Sequence, residues 1–487
     1  MAGERENKVS GFIKGSSILV LSNVCLKAIN FLLLPLYTHN LTPSMIGISD
    51  SVTTLTGIIL PLLTMGLDAA FSAFYFEKED PDRPRKVFST LAFIFMLSGC
   101  LPLLLMLAAP FVSGLLFHTR DYTYIIRYAL LSVSFNLWYL PYAMELRLNN
   151  KMFLYGLSTV IASLSMVILN ILFVSVLHLG ESSLVLSSMI IHGESLLLFL
   201  FFVRKKPERR FFDKTLLKQM LRFALPLIPM TLMVWILSLS DRYVLLYYHG
   251  DAEVGLYGIG LRFNNLMNVV ISAVSVAYTT FAFSTREDKN AQRQYYGIFN
   301  AESLLLMMIA FTAAFFGKEI IRLMTAQDYS RSYLALRDLM FSQVFYAMTS
   351  IVSYGIYFEK KSFYSLISVS AGALLNLGLN LLLIPAHGIR AAALTTLLGY
   401  ALYYFLTLYF SKKLYPCQYG ENRVLLTLLA LYGISYIPAP FWAKLIIWLA
   451  CLGAVLLLYR DIIGSIAGLI HKRFSRGKAA SSGGEEE

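Results

Sequence analysis

The chain has 487 residues, of which 57% are apolar and only 14% charged, and its mean hydropathy is +0.63. Soluble domains are close to half apolar and a quarter charged, so a water-soluble fold is excluded. The formal charge of +12 requires no nucleic acid, because basic loops at the lipid headgroups account for it.

A membrane helix needs roughly 20 apolar residues to cross a hydrocarbon core of about 30 Å. Runs of that kind fall at 14–37, 44–75, 88–117, 123–145, 153–177, 183–203, 220–248, 253–283, 297–324, 332–358, 363–385, 388–410, 424–438 and 441–459. A β-barrel would instead alternate apolar and polar residues over about ten positions. The unbroken runs predict helices. No phosphate loop, HExxH or GxSxG motif is present, so neither ATP hydrolysis nor enzyme chemistry is expected, and no cofactor.

With the amino terminus placed inside, Lys78, Arg83, Arg85, Lys86, Arg147, Lys151, Arg204, Lys205, Lys206, Arg209, Arg210, Lys412 and Lys413 fall in cytoplasmic loops. Outside loops hold little beyond Arg120, Arg331, Arg390 and Lys444. Basic residues favour the cytoplasm, so both termini are expected there. MAGERENKVSGFIK lacks the features of a cleaved signal peptide. Cys25, Cys100, Cys417 and Cys451 have no CxxC spacing and suggest neither disulfides nor a metal.

The sequence repeats weakly on itself. A shift of 208 residues places Gly47 on Gly255, and Glu79, Asp80 and Arg85 on Glu287, Asp288 and Arg293; a shift of 210 places His39 on His249. Spans one to six therefore correspond to seven to twelve in the same orientation, related by an axis along the membrane normal. The expected fold is an all-α polytopic membrane protein of about fourteen transmembrane helices, with two parallel six-helix lobes around a central cavity and two carboxy-terminal helices. The expected divisions are a cytoplasmic segment 1–13, an N-lobe 14–203, a basic linker 204–219, a C-lobe 220–410, a loop with the last two spans at 411–459, and a basic, then disordered, tail 460–487.

Polar residues form stripes inside four spans. Arg262, Asn265, Asn268, Ser272, Ser275 and Thr279 recur three or four apart in the eighth span, and Asp50, Thr54, Gly57, Pro61, Thr64 and Asp68 recur similarly in the second. Ser16, Asn23, Lys27 and Asn30 mark the first span, and Thr231, Ser238, Asp241 and Arg242 the seventh. A charge at mid-membrane costs about 2.5–3.5 kcal/mol unless it faces protein or a wet cavity. The stripes are therefore expected to line one cavity through Asn23, Asn30, Asp50, Thr54, Thr64, Asp241, Asn265, Asn268 and Ser272. Lys27, Arg242 and Arg262 supply a basic surplus suited to a phosphate-bearing headgroup. The rival reading makes Asp241 with Arg242, and Lys27 with Asp50, structural ion pairs. Asp50, Asp68, Glu194, Asp241 and Glu302 are candidate carriers of H⁺ or Na⁺, and Glu194 beside His192 is most simply a buried polar pair.

DRYVLLYYHGDAEVGLYGIGLRFNNL at 241–266 and LLNLGLNLLLIPAHGIRAAALTTLLGY at 374–400 resemble the Wzx-type oligosaccharide flippases of the polysaccharide transporter family. LPLYTHNLTPSMIGISDSV at 34–52, followed by GLDAAFSAFYF at 66–76, is similar to that family's first hairpin. Arg390 and Ala391 stand where Gly-Ala is usual, and the resemblance covers 14–459. It implies the fold of lipid II flippases and MATE exporters in the MOP superfamily. It also implies an undecaprenyl-pyrophosphate-linked oligosaccharide substrate, moved from the inner to the outer leaflet of the bacterial cytoplasmic membrane for capsule, O-antigen or exopolysaccharide synthesis. Membrane lipids and a polysaccharide polymerase or ligase are the implied partners. A MATE-like exporter of cationic drugs and a lipid II flippase are the alternatives. A membrane-embedded glycosyltransferase would need a large outer loop, which the spans do not leave.

Overall fold

The computed structural model describes residues 31–76, 80–149, 151–286, 291–462 and 464. Ser16, Asn23, Lys27 and Asn30, Cys25, the loop residue Lys78, the repeat residues Glu79, Glu287 and Asp288, and the tail from Ser475 lie outside the described residues. Among the described residues there is no strand, and eleven helical stretches are long and apolar enough to cross a membrane. Each helix satisfies its own backbone polar groups, which lipid cannot do for it.

The principal helices are α1 (Pro43–Thr64), α2 (Arg83–Ser98), α3 (Thr123–Leu148), α4 (Met152–Asn170), α5 (Ser183–Phe202), α6 (Lys214–Ala224), α7 (Ile228–His249), α8 (Asp251–Ser284), α9 (Ala291–Phe315), α10 (Tyr333–Val352), α11 (Phe363–His387), α12 (Ile389–Leu414), α13 (Glu421–Ile434) and α14 (Phe441–Leu458). They pack as two halves. In the first, α3 packs against α5 and α2, and α5 against α4; in the second, α10 is enclosed by α8, α9 and α12, while α11 joins α12 and α7. The stretch around α10, Gln327–Phe358, is the most buried of the apolar spans. The halves meet where α1 packs on α8 and α7.

The expected span 44–75 is interrupted. Pro61 sits in the last turn of α1, its carbonyl accepts from the Met65 amide at 3.2 Å, and Met65 and Gly66 both adopt left-handed backbone before a separate helix, Leu67–Phe74. The chain is thus fully broken after Pro61, because two consecutive left-handed residues end an α-helix. Pro226 similarly lies in a 3₁₀ turn, Leu225–Leu227, that separates α6 from α7.

The basic linker 204–219 is not a plain connection, since it holds a 3₁₀ turn at Arg209–Phe211 and most of α6. α6 buries Leu216, Met220 and Ala224 against the first half, near Leu67–Phe74 and α2. Its start is fixed by Asp213, whose carboxylate accepts from the amides of Thr215 at 2.8 Å and Leu216 at 3.0 Å. Asp213→Ala is expected to cost about 1 kcal/mol of stability, as loss of an N-cap does. An unchanged urea or thermal midpoint would refute that role.

Candidate functional site

The junction of the halves begins with a backbone contact. A β-carbon on Gly47 would stand 1.8 Å from the Asp251 carbonyl oxygen, and one on Gly255 would stand 1.9 Å from that of Pro43. Only glycine at both positions lets α1 and α8 come this close. Ser44 donates to the Asp251 carboxylate at 2.9 Å across the same contact.

One turn further in, Asp50 of α1 and Arg262 of α8 form an ion pair at 3.2 Å, with side chains 16% and 14% exposed. Gly258 makes room for it, since a β-carbon there would lie 2.0 Å from the Asp50 carboxylate. In the next turn Arg242 of α7 donates to Thr54 of α1 at 2.8 Å, and the Tyr243 hydroxyl donates to the Ser51 carbonyl at 3.3 Å. The Arg242 Nε is buried with no hydrogen-bond partner among the described residues. Two guanidinium groups and one carboxylate therefore bridge the halves.

A cavity opens on each side of this bridge. In the first half about 510 Å³ is lined by residues that include Tyr37, Thr53, Tyr139, Tyr155, Asn170, His192 and Ser195, and by Arg262 from the second half. In the second half about 260 Å³ is lined by Ser238, Arg242, Asn264, Asn265, Asn268, Gln343, Tyr346 and Tyr400. A further cavity of about 260 Å³ shares Val234, Tyr346 and Tyr400 and is reached by Ser275. Hydroxyls, amides and aromatic rings share these walls with aliphatic side chains such as Met166, Leu184 and Val234, and suit hydrogen bonding and stacking against sugars.

The residues expected on one cavity wall are thus divided. Asp50, Thr54, Arg242 and Arg262 come together at the bridge, while Arg242, Asn265 and Asn268 face the second-half cavity. Ser272 donates to its own helix at the Asn268 carbonyl, and Thr64 to the Pro61 carbonyl, and neither lines these cavities.

Asp241 is not on the cavity wall. It is 1% exposed, and its carboxylate accepts from the Tyr257 hydroxyl, from the Thr396 hydroxyl at 3.1 Å and from the Arg242 amide at 2.8 Å. Adjacent residues on a helix point about 100° apart, so Asp241 turns into α8 and α12 while Arg242 turns towards α1. The expected Asp241–Arg242 side-chain pair is therefore absent, and Asp50 takes Arg262 as its partner.

Glu194 and His192 do not pair with one another either. Glu194 accepts from Ser165 at 2.8 Å, whereas the His192 ring lies 2.6 Å from the Ser132 hydroxyl and lines the first-half cavity. Glu302 is 4% exposed with neither carboxyl oxygen hydrogen-bonded among the described residues.

Two groups of residues escaped the sequence reading. The first-half cavity draws on α3, α4 and α5, whose serines, threonines and tyrosines are too widely spread to form a recognisable stripe. The second group is a buried chain: Asn380 donates to Asn376 at 3.0 Å, Thr395 donates to Asn380, and Thr396 continues to Asp241. Its signal was the spacing of four between Asn376 and Asn380, which puts both on one face of α11.

Comparison with known proteins places this architecture. The sequence model for "Polysaccharide biosynthesis protein" matches residues 12–283, and that for MatE matches residues 226–382. An uncharacterized membrane protein of Methanocaldococcus jannaschii is 29% identical over 226 residues, covering 42% of this chain and 44% of that protein. The chain therefore spans less than half the length of that curated relative.

Among solved structures, the lipid II flippase MurJ in an inward closed conformation aligns with a TM-score of 0.70 at 17% identity, covering 93% of this chain and 100% of that one. An inward-facing MATE family multidrug resistance transporter gives 0.60 at 15% identity, covering 84% and 96%. A MOP superfamily transporter from Pyrococcus furiosus gives 0.55 at 15% identity, covering 82% and 95%. What is shared at these identities is the fold, that of the MOP superfamily.

Proposed function

The chain belongs to the polysaccharide biosynthesis protein family, and from that premise we propose that it is a flippase for a lipid-linked glycan, working by alternating access. The substrate proposed is an undecaprenyl-pyrophosphate-linked oligosaccharide, carried from the inner to the outer leaflet of a cytoplasmic membrane with both termini inside. The observation that carries this reading is the Asp50–Arg262 pair, a cation–carboxylate bridge between the halves whose arginine lines the first-half cavity.

A pyrophosphate offers the same oxygen geometry to a guanidinium as Asp50 does, with more charge. A headgroup reaching Arg262 competes with Asp50 for it, and Arg242 adds a second cation on the far side of the bridge. Losing the pair frees α1 from α8, so the substrate favours the state in which the halves separate. A ligand shifts such an equilibrium only by its differential affinity for the two states. The sugars occupy the polar cavities, the prenyl chain stays in lipid, and H⁺ or Na⁺ drives the return. Glu302 and Asp50 are the carboxylates to test for that coupling. A polymerase or ligase would take the product. The protein is proposed to act as a transporter and not as an enzyme.

The test is the thermal stability of purified protein with undecaprenyl-pyrophosphate sugar, with undecaprenol alone and with cationic dyes. Stabilisation by the pyrophosphate lipid is expected, with binding weakened about tenfold or more in Arg262→Ala, the loss of one charge-assisted contact. Equal stabilisation by undecaprenol would remove the headgroup site. The MatE match over 226–382 favours one second reading, an exporter of organic cations. Stabilisation by dyes without any by the pyrophosphate lipid would establish that reading instead.

A further inference from the structure

A fourth cavity, of about 780 Å³, lies away from the junction and shares no lining residue with the cavities there. Its walls are the end of α9 with the following helix Gly317–Met324, the start of α10, the α11–α12 turn and the α13–α14 turn. This is the end of the bundle at which α1 and α8 begin. Arg331 beside α10 pairs with Glu253 of α8 at 2.7 Å, and His249 at the end of α7 lies 2.7 Å from the Ile384 carbonyl of α11.

Four cationic side chains line the cavity against two carboxylates. Both carboxylates are already engaged. Glu319 takes Lys444 with both oxygens, at 2.9 and 3.0 Å. Asp338 accepts from Arg337 at 3.3 Å and from the Tyr432 hydroxyl at 2.8 Å, while the Arg337 guanidinium stacks on the Tyr436 ring at 3.3 Å. The remaining cations, Lys318 and Arg390, are exposed and have no ion-pair partner among the described residues. Two uncompensated positive charges in a concave site concentrate the local potential on an anion.

The surroundings specify the kind of anion. Tyr436 on the α13–α14 turn and Phe441 at the start of α14 are about half exposed, and Trp442 beside Phe441 is 73% exposed. Exposed aromatic rings at helix ends mark the level of the lipid headgroups. Leu334, Leu383 and Ile437 line the same cavity, offering apolar surface beside the cations. We infer that this cavity binds the phosphodiester headgroup of an anionic membrane lipid, held by Lys318 and Arg390, with the first acyl carbons against Leu383 and Ile437. Such a lipid would tie the α13–α14 hairpin to the second half. The inference does not rest on the proposed transport activity.

The experiment titrates the full-length protein in detergent with dioleoyl-phosphatidylglycerol, dioleoyl-phosphatidylcholine and inorganic phosphate, reading melting temperature and, by native mass spectrometry, bound lipid. Phosphatidylglycerol is expected to bind and stabilise where phosphatidylcholine does not. Lys318→Ala and Arg390→Ala should each weaken phosphatidylglycerol binding about fivefold, the usual worth of one basic residue at a headgroup. Lys413→Ala, an exposed lysine at the far end of α12, should leave it unchanged. Because Lys318 and Arg390 are exposed, their lipid-free melting temperatures should match the wild type, which separates lost binding from lost folding. Equal effects of the two lipids, or full phosphatidylglycerol binding by the double variant, would overturn the site. Equal stabilisation by inorganic phosphate would overturn the lipid as its occupant.

Discussion

Gly47→Ala is expected to destabilise the protein by about 3 kcal/mol, the upper end for overpacking a closed contact. The added methyl would meet the Asp251 carbonyl oxygen at 1.8 Å, and that oxygen belongs to the backbone of α8 and cannot rotate aside. The helices must part, taking the Ser44–Asp251 hydrogen bond and the Asp50–Arg262 pair with them. Gly258→Ala is the informative contrast, because its methyl meets the mobile carboxylate of Asp50, and it should cost less. Thermal melts report the stability. Labelling of a cysteine introduced at Ser44 by a membrane-impermeant maleimide reports the separation, and should rise in Gly47→Ala. Wild-type melting and labelling in that variant would show that the α1–α8 contact does not hold the halves together.

The second large effect is expected at Asp241. Asp241→Ala removes the acceptor of the buried Tyr257 hydroxyl and one bond of Thr396. The Thr396 proton can turn to the Ala392 carbonyl, which lies 2.9 Å away, so the uncompensated group is the phenol. An unpaired buried donor costs about 1–3 kcal/mol, and the cavity left by the carboxylate adds to it. A total near 3 kcal/mol is expected for Asp241→Ala, and about 1 kcal/mol for Tyr257→Phe, which leaves Asp241 its other two donors. The double variant should cost less than the two single costs together, as coupled groups do. If Asp241→Ala melts normally but loses transport, Asp241 is an ion carrier and the structural reading fails.

The chain by itself determined that the protein is an all-helical membrane protein and where most of its apolar helices fall. Those features follow from local rules. An apolar run of bilayer length must be helical to satisfy its own backbone, and Gly47 falls on Gly255 because each half uses a small residue at the same place. Helical spacing also marked Asp50, Thr54, Arg242 and Arg262 as polar residues inside spans, and they do meet at the junction. The breaks after Pro61 and at Pro226 were visible as prolines, but how sharply the chain turns there depends on what it packs against.

Tertiary structure alone decided which partner each charge takes. Periodicity names the face of a helix on which a residue lies, and is silent about what stands opposite. Asp50 could have met any basic residue of the spans facing it, and the close approach of α1 and α8 at glycine brings it to Arg262. Asp241 and Arg242 are neighbours in sequence, yet the turn of the helix between them sends one into a sealed hydrogen-bond network and the other to the bridge between the halves. The basic cavity beside the α11–α12 turn needed five chain segments brought to one end of the bundle before Lys318 and Arg390 could share it. Burial and pairing are properties of an assembled surface, and that surface exists only once the helices have packed.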